Sequence, residues 1–463
     1  MAYRFVHLSD IHFGQKSGTV AKHNSVRGAL VNDARDFARE HGEADRILVT
    51  GDIAYSGKGD EYENAAEWLE ELASACGCEV TSVCTIPGNH DCDRNAVTNQ
   101  ARMIYAGLRA HTAELLQASI AEIVQDGDAS NPFLPKLRAY SKFANAYGCA
   151  LNSSESPFWV KDFFLPGEIT LRFHGLTSVQ VSNADDALGN MILGNRQYMV
   201  QESENVINVI LVHHPLEWFK DKHEASQFLQ NNSRVIMVGH EHTLKILKTQ
   251  DALAKKEWLV VYAGATNPPE GDNFGYTYNW VEFSHEEKDG RQQLVVEVFP
   301  RVWVQQAVRF DADHNRLGSS ADSARIEILC ANVRPKQGPA TATELAAAAA
   351  PEIAPAKSPS TSSAAQTAAD PPREFVMTTE TAGFDRLRYL FWRYLDWQQR
   401  LKVLVEVDAL PRTADQPIPQ TLERVALENA AKSAGKLHDI WDVMMPLIPE
   451  DKRAANPFKS NNR

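Results

Sequence analysis

The chain has 463 residues, of which 43% are hydrophobic and 23% charged, a composition typical of a globular protein with two or three domains. Its formal net charge of −13 excludes bulk attraction to nucleic acid or to an anionic membrane, but not a local basic groove or a metal-neutralised site. The six cysteines form no C-x-x-C pair, no apolar run is long enough to span a membrane, and no secretory signal begins the sequence, so we expect a cytoplasmic protein without a structural zinc site.

The N-terminal part of the chain alternates between short apolar runs and helical patterns. Residues 4–10 predict a strand, residues 25–41 a helix, and "RILVTGD" at 46–52 a strand that is buried on both faces, because the run is continuously apolar. A second helix is predicted at 61–75 and a third strand within "EVTSVCTIPGNHD" at 79–91. This alternation indicates an α/β fold in which helices cover a sheet.

The middle of the chain interrupts this rhythm and then resumes it. Residues 95–160 are mostly helical in pattern and predict an insertion or a cap over the sheet. Apolar runs follow, and each of them predicts a strand: "EITLRFHGLTSV", "NVINVILVHHP", "SRVIMVGHEH" and "EWLVVYAGAT". The segments "YTYNWVEFS" and "QQLVVEVFPRVW" alternate apolar and polar residues, as half-buried antiparallel strands do.

The C-terminal third changes composition. Residues 334–372 are rich in Ala, Pro, Ser and Thr, which predicts a disordered linker between a first domain at 1–333 and a second at 373–463. The second domain has helical patterns throughout and is predicted to be a small all-α unit. One helix face carries the core stripe Leu387, Leu390, Phe391, Tyr394 and Leu395. We expect Trp392 and Trp397 to be partly exposed and available to a partner.

Polar side chains that bind metals follow five of the apolar runs. These residues are Asp10, His12, Asp52, Asn89, His90, His213, His214, His240 and His242. Loops at the carboxyl ends of strands converge on one crevice in open α/β sheets, so we expect these side chains to meet. Imidazole, carboxylate and amide ligands suit zinc, manganese or iron, and there are too many for one tetrahedral ion.

Two divalent metal ions therefore fit the set better than one. Asp52 is the expected bridging carboxylate, because it lies midway in the set and follows a small glycine. Asn89 is the expected neutral amide ligand. His90 is expected to face a phosphate and either to stabilise charge or to protonate the leaving oxygen. Each motif alone is more typical of a turn. Asp91 is better interpreted as a supporting carboxylate than as a ligand, and His214 either supports the site or is a simple loop residue.

The motifs Asp-x-His, Gly-Asp, Gly-Asn-His-Asp, His and Gly-His-x-His, in this order over residues 4–300, resemble the calcineurin-like metallophosphoesterase superfamily. The resemblance implies a two-sheet sandwich flanked by helices and catalysis by a metal-bound hydroxide. It assigns Asp10, His12 and His242 to one metal, Asn89, His213 and His240 to the second, and Asp52 to both. His213 is preferred to His214 because the family ligand is followed by one residue and then a proline, here Pro215.

Two further positions carry over from the resemblance. Arg94 resembles a family arginine that contacts phosphate. Tyr55 stands where many relatives have an acid or histidine that orients the substrate-facing histidine, so the orientation of His90 needs another source. Mn²⁺ is the expected metal, with Zn²⁺ or Fe as alternatives.

Three functions are compatible with these residues. "HLSDIHFG" is similar to the opening of nuclease and cyclic-nucleotide phosphodiesterase branches, so we expect a phosphodiesterase that acts on nucleic acid or a nucleotide. The alternatives are a phosphomonoesterase or protein phosphatase, and a non-catalytic scaffold. The layout of enzyme, linker and helical bundle resembles bacterial conflict and defence proteins with a death-like effector-associated adaptor, which implies a protein partner for residues 373–463; simple oligomerisation is the alternative.

Overall fold

The computed structural model describes residues 2–15, 20–125, 131–151, 157–251, 256–268, 275–318, 320–333, 379–411, 414, 416–433 and 435–458. The predicted linker lies outside the described residues.

Two mixed β-sheets form the centre of the N-terminal part. The first sheet contains seven strands: β1 (Tyr3–Leu8), β2 (Arg46–Val49), β3 (Val83–Thr85), β10 (Thr277–Lys288), β11 (Arg291–Val304), β12 (Arg309–Ala312) and β13 (Ala324–Leu329). Their order is β12-β11-β10-β1-β2-β3, and β13 also pairs with β11. β1, β2 and β3 run parallel, so their carboxyl ends lie at one edge.

The second sheet has six strands: β4 (Phe158–Leu165), β5 (Ile169–Leu176), β6 (Val206–Val212), β7 (Val235–Val238), β8 (Ile246–Asp251) and β9 (Lys256–Tyr262). Their order is β4-β5-β6-β7-β9-β8, and β5, β6, β7 and β9 are parallel. The inner strand β7 is continuously apolar and all four of its residues are buried, as expected for a strand covered on both faces.

Aromatic side chains join the two sheets into a sandwich. Phe5 of the first sheet lies 5.2 Å from Phe173 and 6.1 Å from Phe163 of the second, measured between ring centroids. Phe283, on β10, completes the cluster at 5.4 Å from Phe5. This arrangement confirms the predicted two-sheet α/β sandwich.

Helices flank both sheets. They are α1 (Val20–His41), α2 (Gly59–Cys76), α3 (Asn99–Ala110), α4 (Ala113–Gln125), α5 (Arg138–Ala146), α6 (Asn195–Tyr198), α7 (Lys222–Asn232), α8 (His314–Leu317), α9 (Thr379–Tyr394), α10 (Trp397–Glu406), α11 (Gln420–Ala431) and α12 (Lys436–Met444). Within the described ranges, no helix combines the length and the apolar character needed to cross a membrane.

The segment predicted as a helical insertion contains α3, α4 and α5. Tyr105 and Leu116, on α3 and α4, share a small hydrophobic cluster with Val181 and Ile192, which lie in the loop after β5. The helix α5 packs instead against α2 and α9. The insertion therefore divides into a part with its own small core and a part that contacts the C-terminal helices.

The C-terminal helices pack directly on α2 and α5. Glu70 of α2 accepts hydrogen bonds from the hydroxyls of Tyr389 and Tyr394 at 2.6 and 2.9 Å and from Lys452 Nζ at 2.9 Å. Arg393 of α9 forms an ion pair with Glu63, which lies on α2 like Glu70. Charged and aromatic groups thus join the two parts of the chain.

The structure corrects two predictions, one about the exposure of a tryptophan and one about the length of a strand. Trp392 was expected at the surface but is 1% exposed, because it faces the junction with α5, whereas Trp397 is 37% exposed. The third strand is only Val83–Thr85, since residues 80–82 form a 3₁₀ turn. The edge strands β8, β12 and β13 were not anticipated, because their sequences are polar or short.

Candidate metal centre

The predicted site residues lie in the loops that follow the parallel strands. Asp10 and His12 follow β1, and Asp52 follows β2. The others follow the remaining inner strands: Asn89 and His90 after β3, His213 and His214 after β6, and His240 and His242 after β7. β1, β2 and β3 belong to the first sheet, and β6 and β7 belong to the second. The loops after these strands meet, so the crevice lies between the two sheets.

Four of these residues have a left-handed backbone. Asp10, His12, Asp52 and His240 have φ angles of 53°, 52°, 53° and 61°. Residues other than glycine adopt this region at a cost, and such strain concentrates at functional sites, where the surrounding structure holds it. The left-handed turns let the chain reverse directly after each strand and present the side chains to the crevice.

Glycines next to the ligand residues permit the close approach of the loops. A Cβ atom on Gly88 would lie 2.1 Å from Asp52 Oδ1. A Cβ atom on Gly239 would lie 2.2 Å from Ser9 Oγ and 2.4 Å from the Thr50 carbonyl oxygen. Neither position tolerates a larger residue without movement of the centre.

The Asp52 carboxylate lies between two groups of ligands. Its Oδ2 atom is 3.3 Å from His12 Nε2 and 3.4 Å from His213 Nε2. His213 Nε2 is also 3.2 Å from Asn89 Oδ1. The second oxygen, Oδ1, accepts the His90 backbone N–H at 2.8 Å, which fixes the carboxylate plane.

The remaining predicted ligands lie beside Asp10. His242 Nε2 is 3.5 Å from Asp10 Oδ1, and that oxygen is buried without a hydrogen-bond partner among the described residues. Three sets of donor atoms lie within 4.8 Å of one another: His213, His214 and His240; His12, Asp52 and His90; and Asp10, Asp52 and His213. His242 belongs to none of these sets, but it lies beside Asp10 and its ring is 6.3 Å from that of His12, measured between centroids.

The tautomers of two histidines indicate that a cation belongs in the centre. His213 Nδ1 lies 2.8 Å from the Thr50 carbonyl oxygen, and His12 Nδ1 lies 3.2 Å from that of Asn267. A carbonyl only accepts, so Nδ1–H is the donor and the Nε2 lone pair faces Asp52. The Nε2 lone pairs and the Asp52 carboxylate are all acceptors, and acceptors at this distance repel unless a proton or a metal ion lies between them. This group of ligand atoms therefore fits a metal ion.

Without a metal ion, protons on the histidines supply the positive charge beside the carboxylates. Burial lowers the pKa of His213, but the Asp52 and Asp10 carboxylates outweigh burial and raise this pKa to about 9. Burial also lowers the pKa of His12, and the hydrogen bond to Asp52 overcomes it, so the net shift is upward. Burial raises the pKa of Asp52, yet His213 and His90 hold it well below its usual value. Charges of opposite sign thus balance inside the metal-free centre.

His240 shows the opposite behaviour. Burial and the neighbouring positive His213 lower the pKa of His240 to about 4. A neutral imidazole is the form that binds metals, so His240 is ready to coordinate at neutral pH.

His90 is oriented by a backbone carbonyl. Its Nδ1–H donates to the Tyr55 carbonyl oxygen at 2.9 Å, and the Tyr55 ring stacks on the imidazole with centroids 5.0 Å apart. The carbonyl thus does the orienting work that an acidic side chain would do at position 55. Burial lowers the pKa of His90, and the exposed Arg94 adds a smaller effect in the same direction.

Asp91 ties two ligand loops together. Its buried carboxylate accepts the N–H groups of Gly88 at 2.8 Å and Ala54 at 2.9 Å, and the Tyr62 hydroxyl at 2.8 Å. Burial and the nearby Asp52 charge raise the pKa of Asp91 to about 6. These contacts place Asp91 behind the centre, as a link between the loops after β2 and β3.

His214 is fully buried beside His213 and His240. Its Nδ1 is 2.8 Å from Ser178 Oγ, and burial lowers its pKa well below the usual value. Its Nε2 has no hydrogen-bond partner among the described residues. The geometry therefore leaves one nitrogen of His214 available to the same donor set as His213.

Two residues near the centre were missed by sequence reasoning. Asn267 follows β9 and supplies the carbonyl that holds His12, and its N–H donates to the Asp10 carbonyl oxygen at 2.9 Å. Trp218 packs edge-on against His240, with centroids 4.3 Å apart. The end of β9 at the crevice was a usable signal for Asn267. Trp218 gave none, because a tryptophan beyond a strand is ordinary.

Two facing sheets whose strand ends gather histidines, aspartates and an asparagine define the class of metal-dependent phosphoesterases. The chain belongs to the calcineurin-like phosphoesterase family, whose model matches residues 3–244. Residues 383–445 match the GTPase-associated adaptor domain, which confirms the predicted adaptor. Both family expectations from the sequence are therefore confirmed.

One curated relative matches a short part of the chain. The uncharacterized metallophosphoesterase-like protein YydB of Bacillus subtilis (strain 168) is 36% identical over 97 residues, which are 20% of this chain and 19% of YydB. The chain thus matches about a fifth of the length of this curated relative.

Two solved structures are similar at 12% and 10% identity. They are a putative 5′-nucleotidase from Staphylococcus aureus, with a TM-score of 0.36 over 75% of this chain and 57% of that one, and the purple acid phosphatase PPD1 from yellow lupin, with a TM-score of 0.37 over 74% and 57%.

Proposed function

We propose that this phosphoesterase is a metal-dependent phosphodiesterase that acts on nucleic acid or nucleotide substrates. The observation that carries the proposal is the position of Asp52 Oδ2, 3.3 Å from His12 Nε2 and 3.4 Å from His213 Nε2. One carboxylate oxygen between two histidines is the arrangement expected of a bridging ligand in a dinuclear centre.

The resemblance to the family implies two ligand sets that would share this bridge. Asp10, His12 and His242 would hold one ion, Asn89, His213 and His240 the other, and Asp52 would contact both. His214 is the neighbour of the second set and would support it. The nitrogen and oxygen donors suit Mn²⁺, and they also accommodate Zn²⁺ or Fe. When bound, two divalent ions would supply Lewis acidity that activates water and neutralises phosphate charge.

His90 would control a proton at the substrate. Its Nδ1–H is held by the Tyr55 carbonyl, so proton exchange takes place at Nε2. Its lowered pKa makes the free imidazole neutral. An arriving phosphate anion would raise that pKa, so that Nε2 takes up a proton from solvent and then gives it to the leaving oxygen.

The preference for a diester rests on the sequence rather than on the charges of the side chains. The two metal ions would dominate the positive charge at the crevice, and the exposed Arg94 beside His90 would add one guanidinium. The segment "HLSDIHFG" at the first ligand loop is similar to the opening of nuclease and cyclic-nucleotide phosphodiesterase branches, so we infer a diester substrate.

The C-terminal helices would bring the enzyme to a protein partner. The matching domain is described as GTPase-associated, so the proposed partner is a GTPase-linked assembly, in the setting of a bacterial defence system in the cytoplasm. Residues 1–333 would form the catalytic domain, residues 334–372 a linker, and residues 373–463 the adaptor. A tethered partner raises the local concentration of enzyme without any change at the catalytic centre.

The test compares three substrates in Mn²⁺: bis-(p-nitrophenyl) phosphate, p-nitrophenyl phosphate and single-stranded DNA. The variants are His90→Ala and Asp52→Asn, with His223→Ala as a control on the exposed face of α7. We expect diester or DNA cleavage that both site variants lose by about 10²-fold or more and the control retains. Cleavage of the monoester alone would contradict the diesterase, and inactivity with Mn²⁺, Zn²⁺ and Fe²⁺ would support a scaffold.

A further inference from the structure

A large cleft lies between the phosphoesterase part and the adaptor helices. Its volume is about 890 Å³, and it is bounded by α2, α5, α9 and the start of α11. Ligand sites in proteins have volumes of roughly 300–1,000 Å³ and occur preferentially between domains. None of the predicted metal-centre residues lines this cleft, so it is separate from the metal centre.

The walls of the cleft are mainly apolar. Phe143 and Leu151 come from the phosphoesterase side, and Ile418 and Pro419 from the adaptor side. Phe143 and Leu151 are 7% and 6% exposed, so they belong to a fixed core rather than to a mobile surface. Such walls suit the flat faces of an aromatic ring system.

Trp392 forms part of the apolar wall. It lines the cleft and is 1% exposed. Its Nε1 atom is itself buried, so the N–H group offers no donor to a ligand in the cleft, and the indole contributes apolar surface only.

The polar rim of the cleft holds more basic than acidic side chains, although the whole chain is acidic. The basic residues are Lys58, Lys136, Arg138, Lys142, Arg393 and Arg424, and the acidic ones are Glu63 and Asp93. Some of these charges are paired: Lys58 with Asp93, Arg424 with Glu428, and Lys142 and Arg393 with Glu63. The excess of basic over acidic side chains in the lining favours an anion.

The N-terminal end of the adaptor helix α11 adds positive electrostatic potential to the cleft. The helix spans twelve residues and begins at Gln420, which lines the cleft together with Thr421. The N-terminal end of a helix carries partial positive charge and presents backbone N–H groups, which favours bound anions.

We propose that this cleft binds a nucleoside phosphate, with the base against the apolar walls and the phosphate at the basic rim. The ligand contacts both parts of the chain and so strengthens the junction between phosphoesterase and adaptor. Lys58 and Gly59 form another part of the lining and continue from Tyr55, whose carbonyl holds His90. Occupancy is therefore expected to change the rate of hydrolysis, a consequence that rests on the proposed function.

Binding is measured on the full chain after metal removal with EDTA, so that hydrolysis plays no part. The probes are ATP and GTP labelled with N-methylanthraniloyl, and the readout is their fluorescence anisotropy. The test variants are the double change Arg138→Gln with Lys142→Gln, which neutralises the rim, and Ala139→Trp, which fills the cleft from α5. Arg291→Gln, at an exposed position at the start of β11, is the control.

We expect at least one labelled nucleotide to bind the wild type and the control equally. The neutralised variant should bind about tenfold more weakly or worse, as expected for lost charge-assisted hydrogen bonds, and the filled variant should not bind. Thermal unfolding of each variant checks that it folds like the wild type. Rates on bis-(p-nitrophenyl) phosphate in Mn²⁺, with and without nucleotide, form a separate second readout.

Three outcomes would overturn the proposal. The first is the absence of binding to the folded wild type at millimolar nucleotide. The second is unchanged affinity in the folded, filled variant. The third is affinity that is lost in Asp52→Asn but kept in both cleft variants, which would place the nucleotide at the metal centre. Inorganic phosphate that competes as strongly as unlabelled nucleotide would also count against recognition of the base.

Discussion

The metal-free centre should lose stability as pH rises from 6.5 to 9, and Asp52→Asn should remove most of that loss. His213 has a folded pKa of about 9, against about 6.5 in an unfolded chain. A raised folded pKa gives stability that is fully present below the unfolded pKa and is lost as pH rises through the folded pKa. The window is therefore pH 6.5–9.

The magnitude follows from proton linkage. A pKa difference of about 2.5 units at roughly 1.4 kcal/mol per unit corresponds to about 3 kcal/mol, of which the greater part disappears between pH 6.5 and 9. His12 has a raised pKa for the same reason and adds to the trend. Asn at position 52 keeps the shape of the side chain and removes the charge that raises the pKa of His213.

The assay is urea unfolding of EDTA-treated protein at several pH values, for wild type, Asp52→Asn and Asp36→Asn. Asp36 lies on α1 with 76% of its side chain exposed, so it controls for a generic charge change. We expect the wild type and the control to lose about 2 kcal/mol more than Asp52→Asn across the window, because Asp10 still raises the pKa of His213 in the variant. Parallel curves for all three proteins would refute the coupling between Asp52 and His213. Saturating Mn²⁺ should abolish the loss in the wild type, because metal binding replaces the protons.

Two further substitutions test the metal centre and the contact with the adaptor helices independently. Gly88→Ala places a Cβ atom 2.1 Å from Asp52 Oδ1 and should lower diester hydrolysis by about 10²-fold. The control Gly28→Ala, whose Cβ meets no atom within 4 Å, should be fully active. Equal rates in the two variants would contradict the close packing of the ligand loops. Glu70→Ala removes the acceptor of three hydrogen bonds to the adaptor and should speed limited proteolysis of the C-terminal helices. Glu71→Ala, at an exposed position on the same helix, should not. Unchanged cleavage in both variants would mean that the junction does not depend on Glu70.

The strands that lead into the crevice were predictable because their signals are local. A continuous apolar run that ends in Gly-Asp or Gly-His identifies a buried strand and the first polar residue beyond it, as at Asp52 and His240. The alternating patterns of β10 and β11 likewise predict antiparallel pairing. These elements depend on hydrophobic period and turn chemistry, which the sequence shows directly.

The support around the ligands was not predictable, because it is made by the backbone. Thr50 and Asn267 hold two histidines through their carbonyl oxygens, and Tyr55 holds His90 in the same way. Every residue type has a carbonyl, so no side-chain pattern marks these positions. The Tyr55 case matters most, because the missing acid at that position suggested a poorly oriented histidine.

The burial of Trp392 was also hidden from the sequence. Its neighbours on α5 lie far away along the chain, and a helical stripe predicts only that one face is buried. A single isolated helix pattern cannot show that a second face meets another domain. The acidic face of α2, with Glu63 and Glu70, is recognisable as a docking surface only once the basic and hydroxyl groups of α9 lie opposite.

The ligand loops are tied to each other before any metal binds. Asp10 N–H donates to the Gly51 carbonyl at 3.1 Å, and the N–H groups of Ile11 and His12 donate to the Asp52 carbonyl at 2.9 and 3.0 Å. These bonds hold the left-handed turns, each of which costs of the order of 1–3 kcal/mol. The main chain therefore bears the strain, and incoming ions meet ligands that are already positioned. Affinity for metal should accordingly depend on donor chemistry at Asp52 more than on any ordering of the loops.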